Sequence, residues 1–575
     1  MRKLLMIVAS LVVTAAVYAL PARSGVKKTV TQPDGSTLTL TLCGDEHFHY
    51  YTAPDGTPMH ENAQGEWVKD TRDIAALWTA STKRRTAHRT VLAEKTRKLA
   101  RMARTDRQKR RIKGSSNSVT GTKKGLLILV NFPDKQMVNK DKSKAIYEHE
   151  LNGIGDPYNG NQGSVREYFR TQSYGLLDIE FDVVGPVTVS QLMSYYGGND
   201  ADGNDLRPAE MVDEAVKLVD DEVNFADYDW DGDGEVENIY VTYAGYSEAQ
   251  GASRNTIWPH QSTLNDMLGE WAYNWATDSW MQVKEYVLKL DGVRINTYAT
   301  GSELAGYSGT VLDGIGTMCH EYSHCLGLPD FYDTSYAGGF GMYSWSILDH
   351  GSYNNDGYCP AGYTAYERWF CGWLEPTELT GPATVTDMPC IEDEPVAYVI
   401  YNDNNRNEYY LLANHQKKGW NRYQGGAGLM VMHVDYDENV WADNTVNNNP
   451  MRQRMTIIPA DGRLSETTTK RDLWPYSDHV SLTDISSPKA ALYNKNTDGV
   501  KLMHKPIENV KMENGLVSFD FMGGKPECVI TAISDLPADS SMKPATADIY
   551  DLSGRRVQHP GKGLYIINGK KVLIR

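Results

Sequence analysis

Residues His320 to Asp330 read H-E-Y-S-H-C-L-G-L-P-D, and no other stretch of the chain combines side chains of this reactivity at this spacing. Two histidines four apart on a helix share one face, so both imidazoles can reach a single metal ion. Glu321 projects from the same turn toward the metal's open position, where a carboxylate can take a proton from bound water. A bare H-E-x-x-H arises by chance in many helices. Here Gly327 follows and lets the chain turn off the helix, and Asp330 lies six residues past the second histidine, placed to return as a third ligand. Asp333, three residues further on, is a competing third ligand. A core helix with two satisfied histidines would explain neither Glu321 nor the Gly and Asp beyond it. Cys319 and Cys325 flank the histidines but lie well round the helix from each other, and they read as packing residues.

Several elements must hold this string in place. The run Gly314 to Cys319 is small and apolar, as a helix packed under a cleft requires. Gly125 to Phe132 is a continuous apolar run suited to a buried strand, and helix-like and strand-like segments alternate from there to the metal helix. Within that stretch, Asp227 to Glu237 reads D-Y-D-W-D-G-D-G-E-V-E. Carboxylates this dense need a cation or full solvation. The aspartates, spaced two apart with glycine at the sixth position, match the start of a calcium loop of the EF-hand type. The expected ligands are Asp229, Asp231, Asp233, Glu235 and Glu237, since the twelfth position is Tyr240 and a ligand must be borrowed. The bland alternative is a solvated acidic turn.

The 575 residues carry 58 Lys and Arg against 74 Asp and Glu, a formal net charge of -16. That length supports several domains with cores of their own. Residues 1–19 have a basic start, an apolar run and a small-residue cleavage site at Val17-Tyr18-Ala19, the pattern of a secretory signal peptide. No other segment is apolar enough to cross a bilayer, so the expectation is a secreted or cell-surface attached protein without an integral span. The seven cysteines are scattered and make no dense disulfide framework, although a pair among Cys359, Cys371 and Cys390 is open. From Lys83 to Lys113 there are fourteen basic and two acidic residues, a local +12. In an exported acidic protein this reads as a solvated spacer, not a nucleic-acid arm. It ends at Lys109, Arg110 and Arg111 beside the flexible Gly114 to Ser118, a preferred site of nicking. Residues 20–113 therefore read as a propeptide. Its first half is β-rich, with turns at Pro33-Asp34-Gly35 and Pro54-Asp55-Gly56, and Cys43 is a candidate thiolate for holding the metal latent.

The chain resembles the secreted zinc metallopeptidases of the immune inhibitor A type, which carry H-E-x-x-H-x-x-G-x-x-D and are related in outline to the metzincins. The resemblance extends to Ser164 to Phe169, Gln172 to Gly175, Tyr195-Tyr196-Gly197, Ile257 to His260 and Trp345 to Tyr353, and covers about residues 121 to 520. It implies zinc on His320, His324 and Asp330, Glu321 as general base, and a zincin-like α+β domain acting on protein or peptide substrates. His260 or Tyr353 is the expected oxyanion stabiliser. One departure is Leu348, where the resemblance places a methionine in the turn beneath the zinc. Leu and Met have similar volume, so a floor of either serves.

Past about Glu375, short strands separated by Asn, Gly and Pro turns indicate an all-β module. The last fifty residues resemble the C-terminal sorting domains of proteins exported by the type IX system, which implies the export machinery as a partner. The expected organisation is signal peptide 1–19, propeptide 20–113, catalytic domain 120–378, β-sandwich-like module 379–523 and sorting-type segment 524–575. Two readings result. The first is a secreted, monomeric zinc endopeptidase made as a zymogen, with structural calcium and no nucleic-acid partner. The second is an inactive surface-binding protein on a peptidase scaffold, which would have no use for Glu321.

Overall fold

The structure is a computed structural model that describes residues 18–23, 25–62, 64–79, 81, 97, 119–200, 203–274, 279–525, 527–528, 549–550, 563–567 and 570–574. Most of the expected signal peptide and the Lys109 to Arg111 cutting site lie outside the described residues.

Six strands form the sheet that carries the site. Their order is Tyr18–Ala19, His260–Thr263, Thr297–Leu304, Ile239–Tyr246, Gly121–Asn131 and Leu177–Thr188. The last four are mutually parallel, while His260–Thr263 runs antiparallel to Thr297–Leu304. The apolar run beginning at Gly125 is the middle of the long central strand. Alternation sends Leu127 and Leu129 to one face, and Leu126, Ile128 and Val130 to the other, and both faces are buried. Helix Pro208–Leu218 covers the second face through Met211, Val212, Ala215 and Val216.

The first face receives two helices. Val165–Gln172 opens on a capping box, in which Ser164 accepts from the Glu167 amide and Glu167 accepts from the Ser164 amide. Val165, Tyr168, Phe169 and Gln172 then fall on one buried stripe. The second helix, Gly316–Cys325, is buried along its whole length. A Cβ on Gly316 would lie 2.0 Å from the Ser352 carbonyl oxygen, so only glycine lets this helix approach the following turn.

The β-rich start is a five-stranded meander: Lys27–Thr31, Thr37–Asp45, Phe48–Thr52, Pro58–Glu61 and Trp67–Lys69. Downstream, a five-stranded sheet contains Tyr398–Asn402, Asn405–His415 and Gly428–Asp435. Leu412 and Val431 on one of its faces pack with Val385 and Phe519 of a four-stranded sheet. Leu411, Ala413, Met430 and Met432 on the other face belong to the same core as Met318 and Tyr322 of the Gly316–Cys325 helix. The downstream sheets and the helix thus share one continuous interior.

Cys359, Cys371 and Cys390 are buried free thiols, so the pairing left open among them does not form. Within residues 531–575, a separate compact unit, the described strands Ile549–Tyr550, Gly563–Ile567 and Lys570–Ile574 make an antiparallel three-stranded sheet. Among the described residues, no helix is long and apolar enough to cross a membrane.

Candidate metal centre

His320 and His324 share the inner face of the Gly316–Cys325 helix, with their Nε2 atoms 3.0 Å apart. Gly327 takes φ +91° just past the helix and turns the chain back, which brings Asp330 Oδ1 within 3.2 and 3.3 Å of the two Nε2 atoms. His320 Nδ1 lies 2.7 Å from the Ile347 carbonyl, and His324 Nδ1 lies 2.7 Å from the Leu328 carbonyl. A carbonyl can only accept, so both Nδ1 atoms carry hydrogen and both Nε2 atoms present lone pairs.

Three buried acceptors therefore point at one spot, and Asp330 Oδ1 has no hydrogen-bond partner. Charging both imidazoles would place two buried cations side by side, and burial already drives His324 toward the neutral form. Burial also opposes charge on Asp330. A divalent cation resolves the arrangement. Ligand atoms around a tetrahedral zinc sit about 3.3 Å apart at normal bond lengths, and two imidazoles with one carboxylate are a zinc donor set.

Glu321 is fully buried on the same helix. Burial, followed by the Asp330 and Glu46 carboxylates, pushes its proton affinity well above the ordinary carboxyl value. One oxygen, Oε1, accepts from the Leu20 amide at 3.2 Å, and Oε2 has no hydrogen-bond partner. Beneath the site runs the turn after Trp345. Leu348 is buried there, and Ile347 supplies the carbonyl that orients His320. Of the two aspartates, Asp330 joins the histidines. Asp333 closes its own loop by accepting from the Ser335 and Gly339 amides.

Asn444 was not foreseen. Its Nδ2 donates to Asp330 Oδ2 at 2.6 Å and its Oδ1 accepts from the Asp330 amide at 2.7 Å, so one side chain grips both ends of the aspartate. Asn444 sits in the left-handed region at φ +54°, a conformation asparagine tolerates. No local motif announces it, because it comes from a turn 114 residues away.

Of the two oxyanion candidates, the structure turns only His260 away from the cleft. His260 is turned inward: its Nδ1 donates to the Trp258 carbonyl and its Nε2 accepts from the Tyr298 hydroxyl. Burial lowers its pKa to about 4, so it has no spare proton to offer. Tyr353 faces the cleft and donates to the Pro21 carbonyl at 3.0 Å. Cys43 is not a metal ligand. It stands on the strand Thr37–Asp45, with Sγ 3.8 Å from the Thr52 hydroxyl, and the residues that enter the cleft are Leu20 and Pro21.

In the acidic loop, oxygens of Asp229, Asp231 and Glu237 converge within 4.8 Å. Gly232 and Gly234 adopt φ +77° and +87°, which turns the amides of Gly232, Asp233 and Gly234 onto Asp229. Glu237 thus joins Asp229 and Asp231, while Tyr240 stands at the twelfth position. Asp233 and Glu235 do not join the group: Asp233 accepts from the Glu235 amide, and Glu235 faces Arg294. Trp230 from this loop lies 6.4 Å, centroid to centroid, from Tyr322 on the Gly316–Cys325 helix.

Residues 112–373 match the family described as immune inhibitor A peptidase M6, catalytic domain. The chain is 27% identical over 290 residues to the pre-pro-metalloprotease PrtV of Vibrio cholerae serotype O1, covering 43% of this chain and 29% of that protein. It is 27% identical over 269 residues to immune inhibitor A of Bacillus thuringiensis subsp. alesti, covering 40% of this chain and 36% of the relative. The chain thus spans about a third of the length of these curated relatives.

Proposed function

We propose that this chain is a secreted zinc endopeptidase made as a zymogen. The observation that carries the reading is the convergence of three buried lone pairs, from His320, His324 and Asp330, beside the buried carboxylate of Glu321. Zinc held there would polarise a peptide carbonyl and acidify a water at its open position. Glu321 stands in reach of both atoms that exchange protons. It takes the proton of the attacking water and returns it to the departing amide nitrogen, the position the Leu20 amide marks at 3.2 Å. Asn444, Ile347 and Leu328 keep the ligands aimed.

The match to a peptidase family supports this over the binding-scaffold reading, since a scaffold has no need of a buried, partly unpaired glutamate. Latency is supported by the path of residues 20–22, which lie across the cleft. The test is metal content together with unbiased peptide profiling of the full chain after limited trypsin cutting near Lys109 to Arg111. About one zinc per chain and peptide cleavage lost to a chelator, then restored by zinc, are expected. Cleavage indifferent to the chelator excludes the reading.

The acidic loop completes the proposal as a structural calcium site on Asp229, Asp231 and Glu237. An ion bound only by the folded state stabilises it by RT ln(1 + [L]/Kd), about 2.7 kcal/mol at a hundredfold excess over Kd. Millimolar calcium should therefore raise the melting temperature at constant zinc, and Asp231→Asn should shift that dependence to higher calcium. A melting curve unchanged from micromolar to millimolar calcium leaves only a solvated acidic turn.

The remaining parts follow the same reading: export through the C-terminal segment, a monomeric enzyme, and peptide or protein substrates.

A further inference from the structure

Resting on that reading, we infer that Trp258 positions the substrate, its indole N–H holding the backbone carbonyl of the residue just after the bond to be cut. The chain's own N-terminal segment displays the geometry. Tyr18–Ala19, the last two residues of the expected signal peptide and present before its removal, adds to the sheet beside His260–Thr263, antiparallel, with Ala19 opposite His260. Such edge addition is how an extended peptide binds a sheet, through backbone atoms and independently of its side chains. At the next residue the two polar backbone atoms are divided between two partners. The Leu20 amide donates to Glu321 Oε1 at 3.2 Å, and the Leu20 carbonyl accepts from Trp258 Nε1 at 3.0 Å. Both contacts are buried.

Glu321 is the group that protonates a departing nitrogen, so the amide in contact with it marks the first residue past the reacting bond. The carbonyl of that residue is the one Trp258 holds. Tyr353 then meets the carbonyl of the following residue, Pro21, at 3.0 Å. The two donors thus lie in sequence along the downstream half of a bound chain.

Trp258 is built to stay put. Its backbone amide donates to Asp205 Oδ2 at 2.7 Å, and its ring is 1% exposed. Much of its cover comes from the N-terminal region: His49 stacks on it at 4.9 Å, and Ala22 and Leu42 share its apolar cluster with Ala249. Withdrawal of residues 20–52 leaves the indole N–H without the Leu20 carbonyl and open to a peptide in its place. A buried donor with no acceptor is costly, so this N–H favours peptides that carry a carbonyl there over peptides that do not.

The experiment uses the full chain after limited trypsin cutting, with trypsin then inhibited, and the uncut chain in parallel. Two fluorogenic peptides are compared, identical except that in one the C=O of the residue after the cleaved bond is replaced by an alkene of the same shape. The cleaved bond is located by mass spectrometry. The unmodified chain should cut the alkene peptide with kcat/KM lower by roughly three- to tenfold, the range of one hydrogen bond. Trp258→Phe should cut both peptides at that lower value, so the discrimination disappears while the ring's packing is largely kept. Equal cutting of the two peptides by the unmodified chain overturns the inference, and this arm needs no variant to fold. Discrimination that persists in Trp258→Phe also overturns it, because the carbonyl would then be held elsewhere. Failure of the unmodified chain to cut either peptide is a different result: it removes the peptidase reading itself.

Discussion

Glu321→Gln keeps one zinc per chain and loses roughly 10²- to 10⁴-fold in kcat, the usual contribution of a positioned acid–base group. The substitution is nearly isosteric and spares His320, His324 and Asp330, whose mutual distances of 3.0 to 3.3 Å do not involve residue 321. It removes the proposed acceptor of the water's proton. The amide also cannot return a proton to the leaving nitrogen, so both halves of the reaction suffer. Metal analysis and single-substrate kinetics on the same preparation read the two effects separately. Turnover within about threefold of the unmodified chain would sink the proposed mechanism, and loss of zinc would show that Glu321 acts as a ligand.

The second large effect is release from latency. In the uncut chain, Leu20 and Pro21 occupy the partners that a substrate needs: Glu321, Trp258 and Tyr353. The hairpin behind them is tied down as well. Tyr336 donates to the Gly44 carbonyl at 2.7 Å, and His49 Nε2 lies 2.9 Å from Glu248. A segment in place 99% of the time leaves about 1% of the activity, so cutting near Lys109 to Arg111, followed by loss of the N-terminal part, should raise the rate about a hundredfold. Equal rates for the cut and uncut chains would rule out a zymogen. Cys43→Ala should leave latency unchanged, because its sulfur packs against Thr52 within its own sheet. Premature activity in that variant would return the thiol to the metal.

What the sequence alone determined was local. His320, Glu321 and His324 lie within one turn and a half of helix, where the period of 3.6 residues dictates who shares a face. Gly327 and Asp330 follow within six residues, a span too short for the chain to take many paths once glycine supplies the left-handed turn. The central strand was legible for the same reason: a continuous apolar run buried on both faces has one reading in a parallel sheet. The approach of Glu237 to Asp229 and Asp231 is likewise a matter of a short loop.

Tertiary structure decided everything that depends on residues far apart in the chain. Asn444 reaches Asp330 across 114 residues, and Leu20 reaches Glu321 across 301. Neither partner carries a pattern, since one asparagine side chain or one backbone amide looks like any other until the fold brings it in. His260 failed as an oxyanion group for a related reason. Strand alternation tells which residues share a face, but only packing tells that this ring turns toward Trp258 and Tyr298. Cys43 has the chemistry of a zinc ligand, and its strand points that chemistry at Thr52. Residue types and short spacings determine what a site can do, because they set the lone pairs and protons available. Where those groups point, and which distant segment covers them, is set by the packing of elements whose contacts leave no mark in the local sequence.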